Sequence, residues 1–419
     1  MKKSISLLAA LLVITACTNQ AAYTKNQINS PKKKFNTSNV SKNDDAYIKS
    51  VQDFALDFYD VLDVKENQVF SPLSIATCFS MLYDGTDGNT REELRNVLHY
   101  EQGDSHLEQI KNMLLKCAID DSNNKTYLNI SQSIWFRGDG SSFKDDYLEK
   151  LTNYYYAEVF KGVNFMSNEG KQMMADWVNN KTKKFLNVTP DSFPATPNTV
   201  MYLMNAIYAK SQWSIENLFK KSNNSEKVFH NIDDSSSTKT FMNGKAEGSS
   251  YYEYDTYRVA SLPYKHNMQI NILLPNEGTN YSEILKDKEA LSNMINFGKQ
   301  SDLERASIQW ILPKFKIICD YDLQDVMTNL GLDETFDKEK VNLSRMSDEP
   351  GLYIESAEHK AGIEINNEGV EAAAFTFVAA GSKSAAPNAS VTFKVDHPFA
   401  YYLTTNEGLP LFMGVINSL

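Results

Sequence analysis

Residues 359–387 read HKAGIEINNEGVEAAAFTFVAAGSKSAAP, a stretch that passes from charged residues through small and apolar ones to a single lysine. After Gly369 its residues fit a β-strand, in which successive side chains point to opposite faces. One face of that strand is small or β-branched throughout, and the other face carries the bulky side chains. The first face holds Val370, Ala372, Ala374, Thr376 and Val378, and the second holds Glu371, Ala373, Phe375, Phe377 and Ala379. The run VEAAAF also has good helix propensity, so the pattern leaves strand and helix open.

The second half of the stretch has the composition of an exposed loop. Gly369 provides a backbone hinge before it. Gly381-Ser382 and Ala385-Ala386-Pro387 surround Lys383 with residues that resist regular structure. A lysine at the tip of such a loop is a target for proteolysis, and an ordinary mobile surface loop is the alternative interpretation.

The N-terminus has the pattern of an export signal. Two lysines precede an apolar run from Ile5 to Ala16 that is too short to span a bilayer. The ending Ile-Thr-Ala-Cys resembles the bacterial lipobox, in which the signal is cut before a cysteine that is then acylated. We therefore expect a lipoprotein signal peptide over 1–16 and a lipid on Cys17, with an ordinary secretory signal as the alternative.

Residues 17–44 are rich in Asn, Ser, Lys and Thr and contain little apolar material, which predicts a disordered tether. This segment and the signal peptide carry seven lysines and one acidic residue. The whole chain of 419 residues has a net charge of −11, so residues 45–419 hold 35 basic and 52 acidic side chains, a net charge of −17. An acidic body of this kind argues against a nucleic-acid partner, because phosphate binding needs a basic surface.

Catalytic and metal-binding motifs are missing from the sequence. There is no nucleophile elbow, no H-E-x-x-H, no P-loop and no glycine fingerprint for a dinucleotide. The six histidines have no ligand spacing, and Cys78, Cys117 and Cys319 give neither a disulfide framework nor a zinc site. We expect no enzymatic activity, no cofactor and no metal.

Periodicity after residue 44 indicates helices first and strands later. Apolar residues at helical spacing follow residue 45, Ser71-Pro72 marks a capped helix start, and Asn89-Thr90 announces a third helix. Strand-like segments then dominate, and they adjoin one another as well as helices, which indicates an α+β fold. These segments are YLNISQSIWF, VMYLMNAIYAK, VASLPYKHNMQINILLP, ASIQWILPKFKI, SVTFKVDHPFAYYLT and LFMGVI. No domain boundary interrupts residues 45–419, which we expect to form a single domain.

Five segments in register resemble the serpin family. They are NQVFSPLSIATCFSMLYDGTDGNTREELRNVL, NAIYAKSQW, LPKFKIICDYDLQDVMTNLGLDETF, HKAGIEINNEGVEAAAFT and FKVDHPFAYYLTTNEGLPLFMGVI. The resemblance covers nearly everything after the tether. It implies the serpin fold, with three mixed or antiparallel β-sheets, eight or nine helices and an exposed reactive-centre loop at about residues 368–387.

The resemblance also implies inhibition of a serine endopeptidase by a suicide-substrate mechanism. The protease attacks the loop, an acyl-enzyme forms, and the loop inserts as a new central strand, a known form of strand addition. The usual hinge count places the reactive bond at Lys383-Ser384, so the implied target is trypsin-like. Implied hinge residues are Glu368, Gly369, Val370, Glu371, Ala372, Ala373 and Ala374, and implied residues of the shutter, the region where the sheet opens, are Ser71, Pro72, Ser74, Asn205 and His359.

The chain departs from the family pattern at the hinge. Asn367 and Glu368 replace the commoner pair of glutamates, Val370 replaces a Thr or Ser, and Phe375 stands where a small residue is normal. Bonds within 378–385 also suit elastase-like or cysteine proteases, and a non-inhibitory binding protein of serpin fold is a further alternative. We expect an exported monomer, anchored to the bacterial cell envelope through Cys17, that meets an extracellular protease.

Overall fold

The computed structural model describes residues 27–29, 45–63, 65–103, 105–121, 126–298, 304–371 and 389–419. Within them the chain is α+β, as predicted, with nine α-helices. The helices are α1 Asp45–Val61, α2 Pro72–Tyr83, α3 Gly88–Val97, α4 Ser105–Lys116, α5 Asp145–Asn153, α6 Asn168–Lys181, α7 Tyr281–Ile284, α8 Lys288–Ile295 and α9 Leu323–Asn329.

The same residues form seventeen strands. They are β1 Gln27–Asn29, β2 Gln68–Phe70, β3 Ile119–Asp121, β4 Thr126–Phe136, β5 Glu158–Phe160, β6 Met201–Gln212, β7 Ser225–His230, β8 Ser236–Glu253, β9 Tyr257–Tyr264, β10 Met268–Pro275, β11 Glu304–Pro313, β12 Phe315–Asp322, β13 Glu358–Asn366, β14 Gly369–Glu371, β15 Ala389–Lys394, β16 Phe399–Thr405 and β17 Pro410–Ile416.

Eight strands form the first sheet, in the order β1-β5-β4-β6-β14-β13-β12, with β3 paired to β4. The strands β4 and β5 run parallel, and the other pairs are antiparallel. The three-residue strand β14 therefore lies between two long strands, β6 and β13. The strand β14 is thus the connection between β6 and β13 within the described part of this sheet.

Nine strands form the second sheet, in the order β15-β11-β8-β9-β10-β16-β17-β2, with β7 paired to β8. Only three residue pairs, from Tyr251–Ala260 to Glu253–Arg258, join β8 to β9. The sheet thus has two parts, one built on β8 and β11 and the other on β9, β10, β16 and β17. The family pattern implies three sheets, whereas the described residues form two, the second of which is joined through only these three residue pairs.

The helix α2 lies in the core between the sheets and packs against β6 and β17. Its sequence PLSIATCFSMLY is apolar around most of its circumference, which is typical of a fully enclosed helix. Eleven of its twelve residues are buried, and the twelfth, Cys78, is partly buried. The predicted start is confirmed: the Ser74 N–H donates to the side chain of Ser71, and Pro72 opens the helix.

The structure differs from the sequence predictions at two places. Residues Gln27–Asn29 lie in the segment predicted to be a tether, and they pair with β5 as an edge strand. The 18-residue strand β8 was missed, because SSTKTFMNGKAEGSSYYE is polar and contains two glycines and so lacks the apolar alternation of a half-buried strand. Neighbouring strands β7 and β11 supply its backbone partners instead.

Among the described residues no helix is both long and apolar enough to cross a membrane. Cys117 is buried, and Cys78 and Cys319 are half-buried. Burial raises the pKa of Cys78 to about 12, so this thiol is protonated and unreactive at neutral pH.

Candidate functional site

The hairpin of β13 and β14 brings the predicted hinge to one end of the first sheet. Gly369 pairs with Asn366 across the hairpin and with Gln212 of β6 on the other side. Its φ is +146°, and a Cβ atom there would lie 2.0 Å from the Ser211 carbonyl oxygen. Only glycine can fill this position without displacing β6.

The turn of this hairpin is tied to the body by side-chain and backbone hydrogen bonds. Trp213 donates its indole N–H to the Asn366 carbonyl at 3.1 Å and its backbone N–H to the Glu368 carbonyl at 3.2 Å. The Asn367 amide donates to the Phe219 carbonyl at 3.0 Å and shares hydrogen bonds with the Asn224 amide. A glutamate, which is common at this position in the family pattern, cannot donate these bonds, so the departure at Asn367 has a local structural reason.

Val370 is the first hinge residue whose side chain enters the core. It is 2% exposed and pairs with Ile365 on one side and Ser211 on the other. Glu368 is exposed at the turn, and the backbone of Glu371 ends β14 opposite Glu364. The hinge residues Ala372, Ala373 and Ala374 lie outside the described residues, as do Phe375, Lys383, Ser384 and Cys17.

Below β14 the two flanking strands separate. In the described part of the chain, β6 pairs with β14 only at Gln212 and Ser211, and no residue of β6 pairs with β13. A cavity of about 960 Å³ lies between them, lined by residues 201–207 of β6, residues 358–360 of β13 and part of α2. We call this space the slot.

The predicted shutter residues meet at the floor of the slot. The Ser71 backbone N–H donates to Nε2 of His359 at 3.1 Å, and Ser74 Oγ donates to Oδ1 of Asn205 at 2.5 Å. Ser71, Pro72 and Ser74 are buried at the start of α2, while Asn205 lies on β6 and His359 on β13. The start of one helix therefore contacts both edges of the slot.

Asn205 leaves one polar atom without a partner. Its Nδ2 is buried and makes no hydrogen bond with the described residues. An unpaired buried amide is costly, and such groups often mark a place where another group binds. Because Asn205 lines the slot, an incoming strand with a polar side chain at this level would satisfy it.

His359 is held as a neutral imidazole. Burial lowers its pKa to about 3, and its Nε2 must be unprotonated to accept the Ser71 N–H. Its ring stacks on Tyr321 at a centroid distance of 6.0 Å. His359 is therefore a hydrogen-bond acceptor in the packed core, and no described group of three potential metal ligands lies near it or elsewhere.

Sequence reasoning missed the partners of the hinge turn, which are Trp213, Phe219 and Asn224. A signal was present for one of them, because a buried tryptophan needs an acceptor for its indole N–H. The other two contacts depend on how the segment after β6 folds back over the sheet. His397, the other histidine in a strongly patterned segment, donates from Nε2 to the Pro275 carbonyl at 2.8 Å and faces Asp396, so its contacts are structural.

Comparison with known proteins gives one consistent result. A family model described as "Serpin (serine protease inhibitor)" matches residues 49–419. Serpin B10 of Otolemur garnettii is 29% identical, with 87% of this chain and 96% of that protein covered, and neuroserpin of Mus musculus is 30% identical, with 83% and 85% covered. The crystal structure of the thermophilic serpin Tengpin in its native state is 25% identical and superposes with a TM-score of 0.74, covering 92% of this chain and 96% of that one.

The buried neutral state of His359 predicts a pH dependence of stability. The pKa of His359 is depressed from an unfolded value of about 6.5 to about 3, so the unfolded chain binds more protons between these values. The contribution of neutral His359 to the free energy of unfolding is fully present above about pH 6.5. As the pH is lowered from there towards about 3, this contribution decreases by about 1.4 kcal/mol per pH unit. Chemical denaturation of the wild type and His359→Gln at pH 7, 6 and 5 should show a shallower slope in the variant.

A matched control is His230→Gln, which removes an exposed histidine and should leave the slope unchanged. Equal slopes in the wild type and His359→Gln would contradict a neutral His359 in the folded state. His266, whose pKa is lowered to about 4 by burial, contributes to the slope of both proteins and cancels in the comparison.

Proposed function

We propose, since this chain belongs to the serpin family, that it inhibits trypsin-like serine proteases as a suicide substrate. Members of the family are generally serine protease inhibitors. The observation that carries the proposal is the position of β14, which lies between β6 and β13 above a slot that no described strand occupies. The first residues of the loop are thus already at the entrance to the place where a new strand would form.

The register of β14 determines how the loop would enter. Gly369 pairs with Gln212 and Val370 with Ser211, while Val370 also pairs with Ile365. Continued without a bulge, these two registers place Thr376 opposite both Asn205 and His359. The Thr376 hydroxyl would then reach the level of the unpaired Asn205 amide.

The same register assigns the bulky residue Phe375 to the outer face of the sheet. Its partner on β6 would be Ala206, which is 4% exposed and belongs to a cluster with Trp177 of α6. The small side chain of Ala206 leaves room beside it. Phe375 is therefore compatible with insertion, provided that α6 yields enough space for an aromatic ring.

Trapping would follow from ordinary acyl transfer. The protease serine oxygen attacks the carbonyl carbon of Lys383, the bond to the Ser384 nitrogen breaks, and the amine leaves with a proton. Lys383 is then an ester on the protease, which water would normally hydrolyse. The 12 residues from Ala372 to Lys383 span about 40 Å as a strand. Their insertion would carry the protease along the sheet before hydrolysis, while β15 stays paired with β11.

We also propose that the protein acts outside the cytoplasm of a bacterium, attached by a lipid on Cys17 after removal of residues 1–16. The support is the sequence alone: two lysines, a short apolar run and the ending Ile-Thr-Ala-Cys. The strand β1 at Gln27–Asn29 would leave nine residues, 18–26, between Cys17 and the domain. The ten steps from Cys17 to Gln27 reach at most about 35 Å when extended, so the domain would stay near the membrane surface.

The reactive bond can be tested with trypsin. Incubation of the mature protein should give a covalent complex that resists SDS, and the fragment released from it should begin at Ser384. Lys383→Ala should slow complex formation with trypsin by at least about tenfold, because it removes the cation that an acidic primary pocket binds. Mass spectrometry of the released fragment identifies the bond, and a fragment beginning elsewhere would refute Lys383 for that protease.

Thr376 provides the control for insertion in this experiment, because the register of β14 would bring it opposite Asn205 and His359 only when the loop inserts. Thr376→Glu would place an unpaired charge in the slot, so trypsin should cleave the variant without forming a complex. Thr376→Ser keeps a hydroxyl and should still form the complex. If the wild type itself is cleaved with no complex, the inhibitory mechanism is wrong and the fold serves another purpose.

Lipidation is tested separately from inhibition. When expressed in a bacterial host with its own signal, the wild type should partition into the detergent phase and carry the mass of an acylated cysteine. Cys17→Ser should remain in the aqueous phase, whereas Cys78→Ser, which alters a different single thiol, should behave as the wild type does. Identical partitioning of the wild type and Cys17→Ser would contradict the anchor and leave the inhibitory proposal untouched.

A further inference from the structure

The end of the slot farthest from the hinge is closed by a carboxylate. Glu355 lies on the segment that leads into β13, and its Oε1 accepts a hydrogen bond from Thr196 Oγ1 at 2.5 Å. Its Oε2 accepts a second hydrogen bond from Thr199 Oγ1. We call these three residues the clasp. Thr199 is buried, Glu355 is half-buried and Thr196 is exposed.

The two threonines are held in place by their own loop, which leads into β6. The Thr196 backbone N–H donates to Thr199 Oγ1 at 2.9 Å, and the Thr199 backbone N–H donates to the Thr196 carbonyl at 3.1 Å. Arg137, which follows β4, donates its backbone N–H to the Val200 carbonyl at 3.0 Å and its guanidinium to the Pro197 carbonyl. Both hydroxyls therefore belong to the β4 and β6 side of the slot.

Glu355 belongs to the opposite side. The carbonyl of Ala357, two residues later, accepts the Leu323 N–H at 2.7 Å at the start of α9, and β13 begins at Glu358. Burial and the nearby charges of Glu355 and Glu358 raise the pKa of Tyr202. Its hydroxyl therefore stays protonated and donates to the Pro194 carbonyl. The clasp thus joins the β4 and β6 side of the slot to its β13 side, and the slot otherwise separates the two sides at this level.

The strand registers show what the clasp would obstruct. Continued downward from β14, the register with β6 places residue 380 beside Met201, and the register with β13 places residue 377 beside Glu358, where β13 begins. Thr199, Met201 and Glu355 all line the slot. A strand that inserts beyond about residue 379 therefore has to pass between Glu355 and the threonine loop.

We propose that the clasp holds the far end of the slot closed and limits the rate at which the last part of the loop inserts. Glu355 is a positioning residue in this role, because it acts through the separation of β6 and β13 and touches no reacting atom. The inference rests on the proposed function, since it concerns the rate of the same insertion. The hydrogen bonds of the clasp are present before insertion and have to break for full insertion. A variant without them should therefore insert the loop faster.

The test compares Glu355→Gln with the wild type. Glutamine has nearly the same shape but is uncharged and has one acceptor oxygen, so one threonine loses its acceptor and the other keeps a bond to a neutral group only. We expect the intact variant, held at a moderately raised temperature, to convert spontaneously to a heat-resistant, loop-inserted form about tenfold faster than the wild type. With trypsin, fewer chains should be cleaved per complex formed, while the initial rate of acylation stays the same.

Two matched variants separate the clasp from general destabilisation. Glu226→Gln removes a carboxylate that accepts from Thr240 Oγ1 at 2.6 Å on the second sheet, and it should convert at the wild-type rate. Thr199→Val should convert faster, as Glu355→Gln does, and Thr199→Ser, which keeps the hydroxyl, should restore the slower rate. Comparable circular dichroism spectra for all variants would establish that each one folds.

The outcomes distinguish this inference from the proposed function. If the wild type forms complexes with trypsin but Glu355→Gln converts at the same rate or more slowly, the clasp has no gating role and the inhibitory mechanism stands. If the Glu226→Gln control converts as fast as Glu355→Gln, the effect belongs to lost carboxylates in general and the inference is wrong. If the wild type neither traps trypsin nor converts to a heat-resistant form, the proposed function fails and the inference fails with it.

Discussion

The structure depends on the separation of two strands within one sheet. Over most of their length, β6 and β13 have no described strand between them, and β14 joins them only at the top. Backbone N–H and C=O groups along such edges require partners, so an open slot inside a sheet is an incomplete structure. Bringing in a further strand would pair both edges at once. The free energy for trapping a protease would come from this pairing together with burial of one face of the loop.

The features around the slot fix the positions of its two edges. Gly369 allows the hairpin to approach β6 more closely than any other residue would permit. The buried helix α2 contributes Ser71 and Ser74, which hold His359 and Asn205 on opposite edges. The clasp of Glu355 with Thr196 and Thr199 fixes the spacing at the far end. The shutter and the clasp thus lie at the floor and the far end of the slot, and the hinge lies above it between the same two strands.

Much of the fold follows from the sequence because local signals agree with the final structure. The Ser71-Pro72 start of α2 is confirmed to the residue, and the apolar strands β4, β6, β10 and β16 lie where their composition predicts them. The long strand β8 was not predictable from its own residues, since its pairing with β7 and β11 compensates for a polar, glycine-containing sequence. Whether a segment forms a helix or a strand can therefore be predicted where its burial pattern and its propensity agree. The prediction fails where pairing with other strands overrides both.

The site was only partly predictable. Family resemblance assigns the hinge and the shutter, and the structure brings Ser71, Ser74, Asn205 and His359 into one network. The unpaired Asn205 amide and the Glu355 clasp could not be foreseen, because both depend on the lateral distance between strands far apart in the chain. Amide hydrogen exchange on residues 201–209 and 358–363, measured before and after the loop is cleaved, tests the slot most directly. Cleavage should sharply slow exchange on both strands as the loop pairs with them, and unchanged exchange on both strands would refute insertion of the loop into the slot.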